Sequence, residues 1–199
     1  MCAMSSIPSS PSRRTVSRQS NGPAAGGRSV VALMLIGALL LACSPTRPAA
    51  AQSTLEVRIK DHREAIEDFR ALHVTIPGLA IHHAGAARDR GWLELQPIES
   101  RIDLTRYVGD RYFVLTQQPV PAGRYDGIRL TIERAEGVLK TGERVEVTVS
   151  LSPVALIFTA RAEQPTVLLL DLVVVALSDE PGGGYELHIK EATVVNSGA

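Results

Sequence analysis

The sequence predicts an all-β protein, a two-layer antiparallel β-sandwich with Greek-key connections, and three observations support this. After residue 54, apolar and charged residues alternate with a period of two, as at Leu55, Val57 and Ile59. Clusters of Gly, Pro and Asp interrupt the alternation at short intervals. Helical spacing is nearly absent, which disfavours a fold of alternating strands and helices.

The first 43 residues predict an export signal. Four arginines precede an apolar run at 30–42, which is shorter than the roughly 18 apolar residues that a membrane-spanning helix needs. Residues 40–43, Leu-Leu-Ala-Cys, resemble a lipobox, so we expect Cys43 to be lipidated and to hold the chain at a membrane. Two alternatives stay open, namely ordinary cleavage near the alanines at 49–51 and twin-arginine export through Arg13 and Arg14.

Three segments follow from this interpretation. They are the export signal with its lipobox (1–43), a flexible tether rich in Pro, Ala and Ser (44–54) and a β-sandwich domain (55–195). No cysteine follows Cys43, so the domain must fold without a disulfide. All 21 acidic residues but only 17 of the 21 basic residues follow Cys43, and the resulting charge of −4 disfavours nucleic acid as a partner.

The strands are predicted in order along the chain. The run at 55–59 comes first, and residues 61–69 then predict a helix of at most two turns, because Ile66 and Phe69 are three apart. A second strand at 72–76 ends at Pro77-Gly78, where the apolar register shifts onto odd numbers and predicts a bulge or a break at a sheet edge. Further strands are predicted at 79–81, 92–96, 111–116, 125–134, 145–151, 157–162, 167–177 and 185–189.

Residues 167–177 predict a central strand. They are apolar on both faces except at Asp171, and β-branched residues together with the flanking Pro165 and Pro181 favour a strand over a helix. A buried carboxylate is costly without a partner. We therefore expect a backbone turn or an arginine beside Asp171.

Residues 121–135 predict a turn followed by a half-buried strand. Gly123 is expected to supply a backbone conformation that other residues resist. Tyr125 is placed to pack under a loop with its hydroxyl bonded to backbone, as tyrosine corners do in sandwiches. Arg129 lies in the outward row, and we predict an architectural pair with Asp103 or Asp126.

With these residues the chain resembles a known family, the bacterial envelope domain of unknown function numbered 4382, often found in lipoproteins. The resemblance covers about residues 55–191. It implies an immunoglobulin-like or transthyretin-like sandwich and an envelope location, and it brings no reaction, ligand or catalytic residue. The chain departs from the family at residues 61–63, which replace an Asp-Ala-Pro, and in lacking a proline near Ile189. The matching residues are Ile102, Asp103, Leu104, Gly123, Tyr125, Ile128, Arg129, Leu130, Ala135, Leu170, Asp171, Tyr185, Glu186 and Leu187.

The histidines and carboxylates do not predict a metal site. His82 and His83 are adjacent on a predicted strand and point to opposite faces, and His73 could share a face with His83 only after a register shift. Polar surface histidines are the default expectation. Glu64 and Asp68 could share a helix face as a weak calcium site, but the pattern of a calcium loop is missing, so a solvated face is favoured.

Nucleophile motifs are missing, and we expect no enzyme, no catalytic residue and no cofactor. Two function classes remain. The first is a membrane-tethered envelope lipoprotein that binds or adheres to a polysaccharide or protein partner, chiefly through the loops at 84–91 and 179–184. The second is a structural or accessory subunit that pairs an exposed strand edge with another envelope protein. A secreted or periplasmic soluble domain is the alternative location.

Overall fold

The computed structural model describes residues 51–178 and 184–195, which lie within the compact unit Pro48–Ala199. The predicted export signal, its lipobox and most of the tether lie outside the described residues, as does most of the 179–184 loop. The described ranges contain thirteen strands: β1 (Gln52–Asp61), β2 (Phe69–Thr75), β3 (Gly78–His83), β4 (Trp92–Leu95), β5 (Arg101–Asp103), β6 (Phe113–Pro121), β7 (Gly123–Thr131), β8 (Arg134–Leu139), β9 (Arg144–Glu146), β10 (Thr148–Val149), β11 (Val154–Ala160), β12 (Pro165–Ala176) and β13 (Tyr185–Val195).

The all-β prediction is confirmed. Helical structure among the described residues is limited to two short 3-10 helices, Ala65–Asp68 and Leu104–Arg106. The first confirms a short helix in the predicted place, although β1 extends to Asp61 and β2 already begins at Phe69.

The described strands form three hydrogen-bonded sheets rather than two. Sheet A has the order β10-β13-β12-β1-β6, sheet B has the order β5-β2-β8-β9, and sheet C has the order β11-β7-β3-β4. The break at Pro77-Gly78 is confirmed, because β2 lies in sheet B whereas β3 begins at Gly78 in sheet C. The register shift read from the sequence is therefore a change of sheet.

Sheet A corrects the prediction of purely antiparallel pairing. β1 runs parallel to β12 from Thr54↔Pro165 to Asp61↔Leu172, and β10 runs parallel to β13. Alternation in a sequence indicates which face of a strand is buried, but it does not indicate the direction of the neighbouring strand. β1 and β12 are far apart in the chain, so no tight turn forces them to be antiparallel.

The core is built from the inward rows of these strands, as the alternation predicts. Leu55, Val57 and Ile59 of β1 are fully buried. β12 is central, between β1 and β13, and its burial on both rows confirms the prediction for this run. Four of its side chains are fully inaccessible: Leu168, Leu170, Leu172 and Val174.

Tyr125 forms the predicted tyrosine corner. Its side chain is fully buried, and its hydroxyl donates to the carbonyl of Pro121 over 2.7 Å. Burial raises the pKa of this hydroxyl. The ring of Phe158 stacks on the Tyr125 ring with 5.1 Å between the ring centres, so an aromatic contact connects β7 and β11.

The predicted role of Gly123 is wrong. Gly123 does not have a positive φ; it begins β7 in extended conformation, paired with Ala160. A Cβ atom at this position would lie 4.0 Å from the ring of His83. That distance is an ordinary van der Waals contact, so neither the backbone conformation nor the available space requires a glycine at this position.

Asp103 and Tyr185 connect sheet elements through side-chain hydrogen bonds. Asp103 Oδ1 accepts from the backbone N–H of Thr105 (3.2 Å) and of Leu72 (3.1 Å), so it caps the second 3-10 helix and holds it to β2. Tyr185 donates to Asp68 over 3.2 Å and packs edge-on against Phe69. These residues have structural roles, as do the buried Leu130 and Leu187.

Candidate functional site

Sheet C carries a cluster of polar side chains that we call the His82 platform, consisting of His82, Trp92, Glu94, Asp126 and Arg129. Strand register brings them together, since His82 is paired with Trp92 on β4 and with Gly127 on β7. The neighbouring row pairs Ala80 with Glu94 and Arg129. Residues two apart on a strand share a face, so these side chains lie together, on the face opposite that of the buried Leu79 and Ile81.

A β-bulge directs Asp126 toward His82. The pairing of β3 with β7 passes from His82↔Gly127 to His83↔Tyr125, which leaves Asp126 as the extra residue on β7. Bulges commonly re-aim a side chain beside a functional site. Here the carboxylate oxygen Oδ1 lies 2.6 Å from His82 Nδ1.

His82 donates from both ring nitrogens. Nδ1 faces the Asp126 carboxylate, and Nε2 lies 2.8 Å from the carbonyl oxygen of Arg90 and 3.2 Å from that of Ala87. All three partners are acceptors, so only the charged imidazolium satisfies them. The hydrogen bond to Asp126, followed by that to the Ala87 carbonyl, raises the pKa of His82, and burial opposes this only in part.

These contacts tie the backbone of the 84–91 loop to the platform. The Trp92 indole N–H donates to the carbonyl of Arg88 over 3.0 Å, beside the two carbonyls that His82 binds. Gly91 closes the loop with a φ of 83°, and a Cβ atom there would lie 2.3 Å from the Ala86 Cβ. The loop thus presents the exposed side chains of Arg88, Asp89 and Arg90 on a fixed backbone.

Arg129 supports the platform with partners that the sequence did not predict. Its guanidinium donates to Glu94 over 2.7 Å and lies 4.6 Å from the centre of the Trp92 ring. The predicted pairing with Asp103 or Asp126 is wrong, because Asp103 caps a 3-10 helix and Asp126 binds His82. The architectural role predicted for Arg129 is compatible with its contacts.

The other histidines and the helix carboxylates occupy separate places. His82 is buried, which corrects the expectation of a surface residue, and His83 packs on the Tyr125 ring at 4.5 Å. Glu64 pairs with Lys190 at 3.0 Å, whereas Asp68 accepts from Tyr185. Within 51–178 and 184–195, no group of three or more His, Cys, Asp or Glu is arranged to hold a metal ion.

A second polar centre lies where β1 meets β12, and we call it the Asp61–Asp171 pair. Asp171 Oδ2 is 3.0 Å from His62 Nδ1 and 3.5 Å from Lys60 Nζ, so the expected arginine or backbone turn is replaced by a histidine and a lysine. Lys60 lies directly opposite Asp171 in the parallel register. Asp61 Oδ1 accepts from the backbone N–H of Arg63 over 2.8 Å.

The Asp61–Asp171 pair leaves two buried oxygens without partners. They are Oδ2 of Asp61 and Oδ1 of Asp171. The pKa of Asp61 is raised to about 6, chiefly by burial and further by the nearby Asp171 carboxylate. The hydrogen bond from the Arg63 N–H opposes this rise. The pair is therefore a centre of unfavourable burial, and its two carboxylates offer little surface to a macromolecular partner.

Sheet B carries a groove of about 470 Å³ lined by charged side chains of both signs. Arg101 and Arg144 lie there with Glu136 and Glu146, beside His73. The mixture gives the groove no preference for an anion or a cation.

Among the residues that the structure describes, no helix is long and apolar enough to cross a membrane.

Comparisons with known proteins give one family. The family model described as "Domain of unknown function (DUF4382)" matches residues 52–190. The crystal structure of a leucine-rich repeat protein from Bacteroides thetaiotaomicron VPI-5482 is 13% identical with a TM-score of 0.28, and the match covers 60% of this chain and 13% of that chain. No curated protein matches this sequence significantly.

Proposed function

This chain belongs to the DUF4382 family of domains of unknown function, and on that premise we propose that it is a lipid-anchored protein of the bacterial envelope that binds a partner without catalysis. Its domain is an immunoglobulin-like or transthyretin-like two-layer sandwich, held away from the membrane by residues 44–54. The partner is an envelope polysaccharide or protein, and the 84–91 loop contacts it.

Sequence features support the anchored location. A basic start and a short apolar run end in Leu-Leu-Ala-Cys, and acylation of Cys43 with two chains would hold the protein firmly where one chain would not. The domain itself contains no cysteine, so it needs no oxidation to fold outside the cytoplasm.

The observation that carries the binding proposal is the fixed 84–91 loop. Three loop carbonyls, those of Ala87, Arg88 and Arg90, accept hydrogen bonds from two platform side chains. An exposed loop that is already ordered loses little conformational entropy on binding. Arg88 and Arg90 at its tip are exposed and can make charge-assisted hydrogen bonds to carboxylates or phosphates, since the ion pair of Arg90 with Asp89, at 3.7 Å, is itself largely exposed and weak.

An uncharged strand edge favours a second candidate function. β11 is bonded to β7 on one side, and the part of the chain that the structure describes offers no strand for its other side. Such an edge is suited to strand addition, so the chain is alternatively a structural or accessory subunit of an envelope assembly.

A binding experiment tests the loop. Emission of Trp92, the one tryptophan in the chain, reports on the loop because its indole bonds the Arg88 carbonyl. The full chain is titrated with purified peptidoglycan, with lipopolysaccharide and with detergent-solubilised envelope proteins. We expect saturable binding to one of these, weakened at least about tenfold in Arg88→Ala/Arg90→Ala, since each charge-assisted hydrogen bond contributes about 1.5 kcal/mol or more.

The matched control is Arg106→Ala/Arg111→Ala, which removes two exposed arginines, one at the end of the second 3-10 helix and one in the segment after it, and should bind like the wild type. Equal binding by the two double variants would contradict a role for the 84–91 loop.

A second experiment concerns the anchor, where Cys43→Ala should move the chain from the membrane fraction to the soluble fraction. Membrane retention of that variant would contradict lipidation at Cys43.

A further inference from the structure

The strand edges of the three sheets are not equally protected against pairing with another chain. Within the described residues the sheets end in six edge strands, β10 and β6 in sheet A, β5 and β9 in sheet B, and β11 and β4 in sheet C. Proteins protect edges by making them short, charged or proline-containing, or by covering them. Five of the six edges have at least one of these features.

The protected edges are easily recognised. β5, β9 and β10 have three residues or fewer, and β4 has four, with the charged Glu94 among them. β6 is longer but contains Pro119 and Pro121. The carbonyl of its Leu115 also accepts a hydrogen bond from the backbone of Ile98, which covers part of that edge.

β11 has neither a charge nor a proline in its seven residues, Val-Ala-Leu-Ile-Phe-Thr-Ala. Such a segment has a high tendency to form β-structure with any available strand. The strand is paired with β7 alone, and no described residue bonds the backbone on its other side. Within 51–178 and 184–195, the conventional protection of β11 is limited to a bulge between Ala155 and Phe158, which interrupts the ladder with β7.

The bulge makes Ile157 the most exposed large apolar side chain of the described residues, with 70% of its surface accessible. Ala155 and Thr159 are exposed on either side of it, whereas Phe158 and Ala160 are buried. A bulge that only protected the edge would not need an isoleucine at its most exposed position. An apolar side chain there gains free energy when a partner covers it.

The sequence of β11 contains no charge or pair of aromatic rings that would oppose pairing with a second copy of itself. When two copies run antiparallel with Ile157 at the centre, Ala155 faces Thr159, Leu156 faces Phe158 and Val154 faces Ala160. Every opposing pair is uncharged, and no two bulky aromatic rings meet. A two-fold axis requires this kind of symmetric match, because each copy presents the same surface.

We infer that β11 is a self-association edge, at which a second copy of this chain adds its own β11 in antiparallel orientation. Sheet C then continues across the two-fold axis from one copy into the other. This inference depends on the strand-addition candidate above and is independent of binding by the 84–91 loop. It commits the edge to a second copy, and a strand from a different protein is the competing outcome.

Cysteine cross-linking in membranes of producing cells tests the pairing and its register. Directly opposed residues in antiparallel strands have Cα atoms about 4.5–5.5 Å apart, within the range of disulfides. Ile157→Cys should therefore form a disulfide-linked dimer with itself under mild oxidation. Ala155→Cys should not do so alone, but it should cross-link to Thr159→Cys when the two variants are produced together.

Two controls set the background. The wild type contains Cys2 and Cys43 and shows any dimer that these form. Ile98→Cys places the thiol at the next most exposed isoleucine, 66% accessible and outside β11, and should stay at the wild-type level. Sedimentation of the purified full chain gives a second measurement, in which Ile157→Lys should halve the mass and Ile98→Lys should not.

The outcomes separate the possibilities. Equal cross-linking of Ile157→Cys and Ile98→Cys, or a monomeric wild type at high concentration, would overturn the inference. Cross-linking of Ile157→Cys to a different protein would also overturn it and would favour a foreign strand. Emission of Trp92 should be unchanged in Ile157→Lys, so failure of self-association and failure of the loop to bind are measured separately.

Discussion

The His82 platform and the Asp61–Asp171 pair both bury ionisable side chains, but only the platform provides a partner for each buried polar atom. His82 faces one carboxylate and two carbonyls, and neither of its ring nitrogens is left over. Asp61 and Asp171 each retain a buried oxygen with no partner. A satisfied polar network fixes one conformation, whereas an unsatisfied one costs stability.

The difference indicates what each region is built to do. At the platform, burial of charge positions the 84–91 loop through its backbone carbonyls, and the side chains of Arg88 and Arg90 remain exposed. At the Asp61–Asp171 pair the Asp61 carboxylate supports a bend after β1, where Asp61 Oδ1 accepts from the Arg63 N–H and Arg63 adopts a φ of 73°. The first arrangement orders an exposed loop, and the second forms part of the fold at a cost in stability.

Both centres make the domain less stable as pH rises, for opposite reasons. Asp61 has a pKa raised to about 6 from 3.8, so the folded state holds its proton longer than the unfolded state. The free energy of unfolding therefore falls between pH 3.8 and about 6. His82 has a raised pKa because its partners favour the charged form, so its contribution is complete below 6.5 and is lost as pH rises through the folded-state pKa.

The largest expected effect tests the unsatisfied centre. Asp61→Asn keeps an oxygen for the Arg63 N–H and removes the charge that burial disfavours. Between pH 4 and pH 8 the unfolding free energy of the wild type should fall by about 1–3 kcal/mol, whereas that of the variant should not fall by this amount. The upper value corresponds to the full shift in the pKa of Asp61, converted to free energy. Urea unfolding at both pH values measures it.

Glu67→Gln is the matched control for Asp61→Asn, because it removes an exposed carboxylate from the adjacent 3-10 helix. This variant should show the pH dependence of the wild type. If Asp61→Asn also follows the wild type at both pH values, Asp61 is not the group responsible, and the contrast between the two centres fails.

The sequence could indicate that Asp171 is buried but not what lies beside it. Its position inside an apolar run predicted the burial, and the structure confirms a central strand there. The partners are Lys60 of β1 and His62 directly after that strand, about 110 positions earlier, and they reach Asp171 because β1 and β12 run parallel. The alternation of apolar and polar residues does not show whether two strands run parallel or antiparallel, so the partner of Asp171 was predicted wrongly.

The platform was missed for a related reason. The 84–91 loop and the outward row of Arg129 were both predicted, yet His82 was expected at the surface, since polar surface histidines were the default expectation. The alternation holds, but the loop folds back over His82 and buries it to 5% exposure. A bulge at Asp126 and a loop conformation depend on backbone geometry, for which Gly91 was the main signal in the sequence.

A smaller effect, about 2 kcal/mol, is expected from Gly91→Ala and sharpens the claim that the loop is fixed. About half of it is the cost of a side chain at positive φ, and the rest comes from the overlap with Ala86 Cβ. Gly85→Ala is the matched control, because Gly85 has nearly the same φ of 85° and open space around it. It should cost about 1 kcal/mol.

Emission of Trp92 and thermal unfolding distinguish the two glycine variants. Gly91→Ala should alter Trp92 emission, because the loop must move away from the indole, and Gly85→Ala should not. Equal effects of the two variants would mean that the loop accommodates a methyl group at Gly91 freely, and the loop would then not be fixed by the platform.

The smallest effect is a change of the loop with pH, and it tests whether His82 is charged. The groups that face or adjoin His82 are Asp126 on β7, Trp92 on β4 and the Ala87 and Arg90 carbonyls, with Arg129 and Glu94 in the neighbouring row. Trp92 emission should change with a midpoint above pH 6.5, since deprotonation removes one of the donated hydrogen bonds and loosens the loop.

Asp126→Asn removes the leading cause of the raised pKa of His82 and should move the midpoint lower. Glu94→Gln, which removes a carboxylate that binds Arg129, should leave the midpoint in place. A midpoint that is the same in the wild type and in Asp126→Asn would show that the carboxylate does not set the charge of His82, and the platform would then hold its loop by geometry alone.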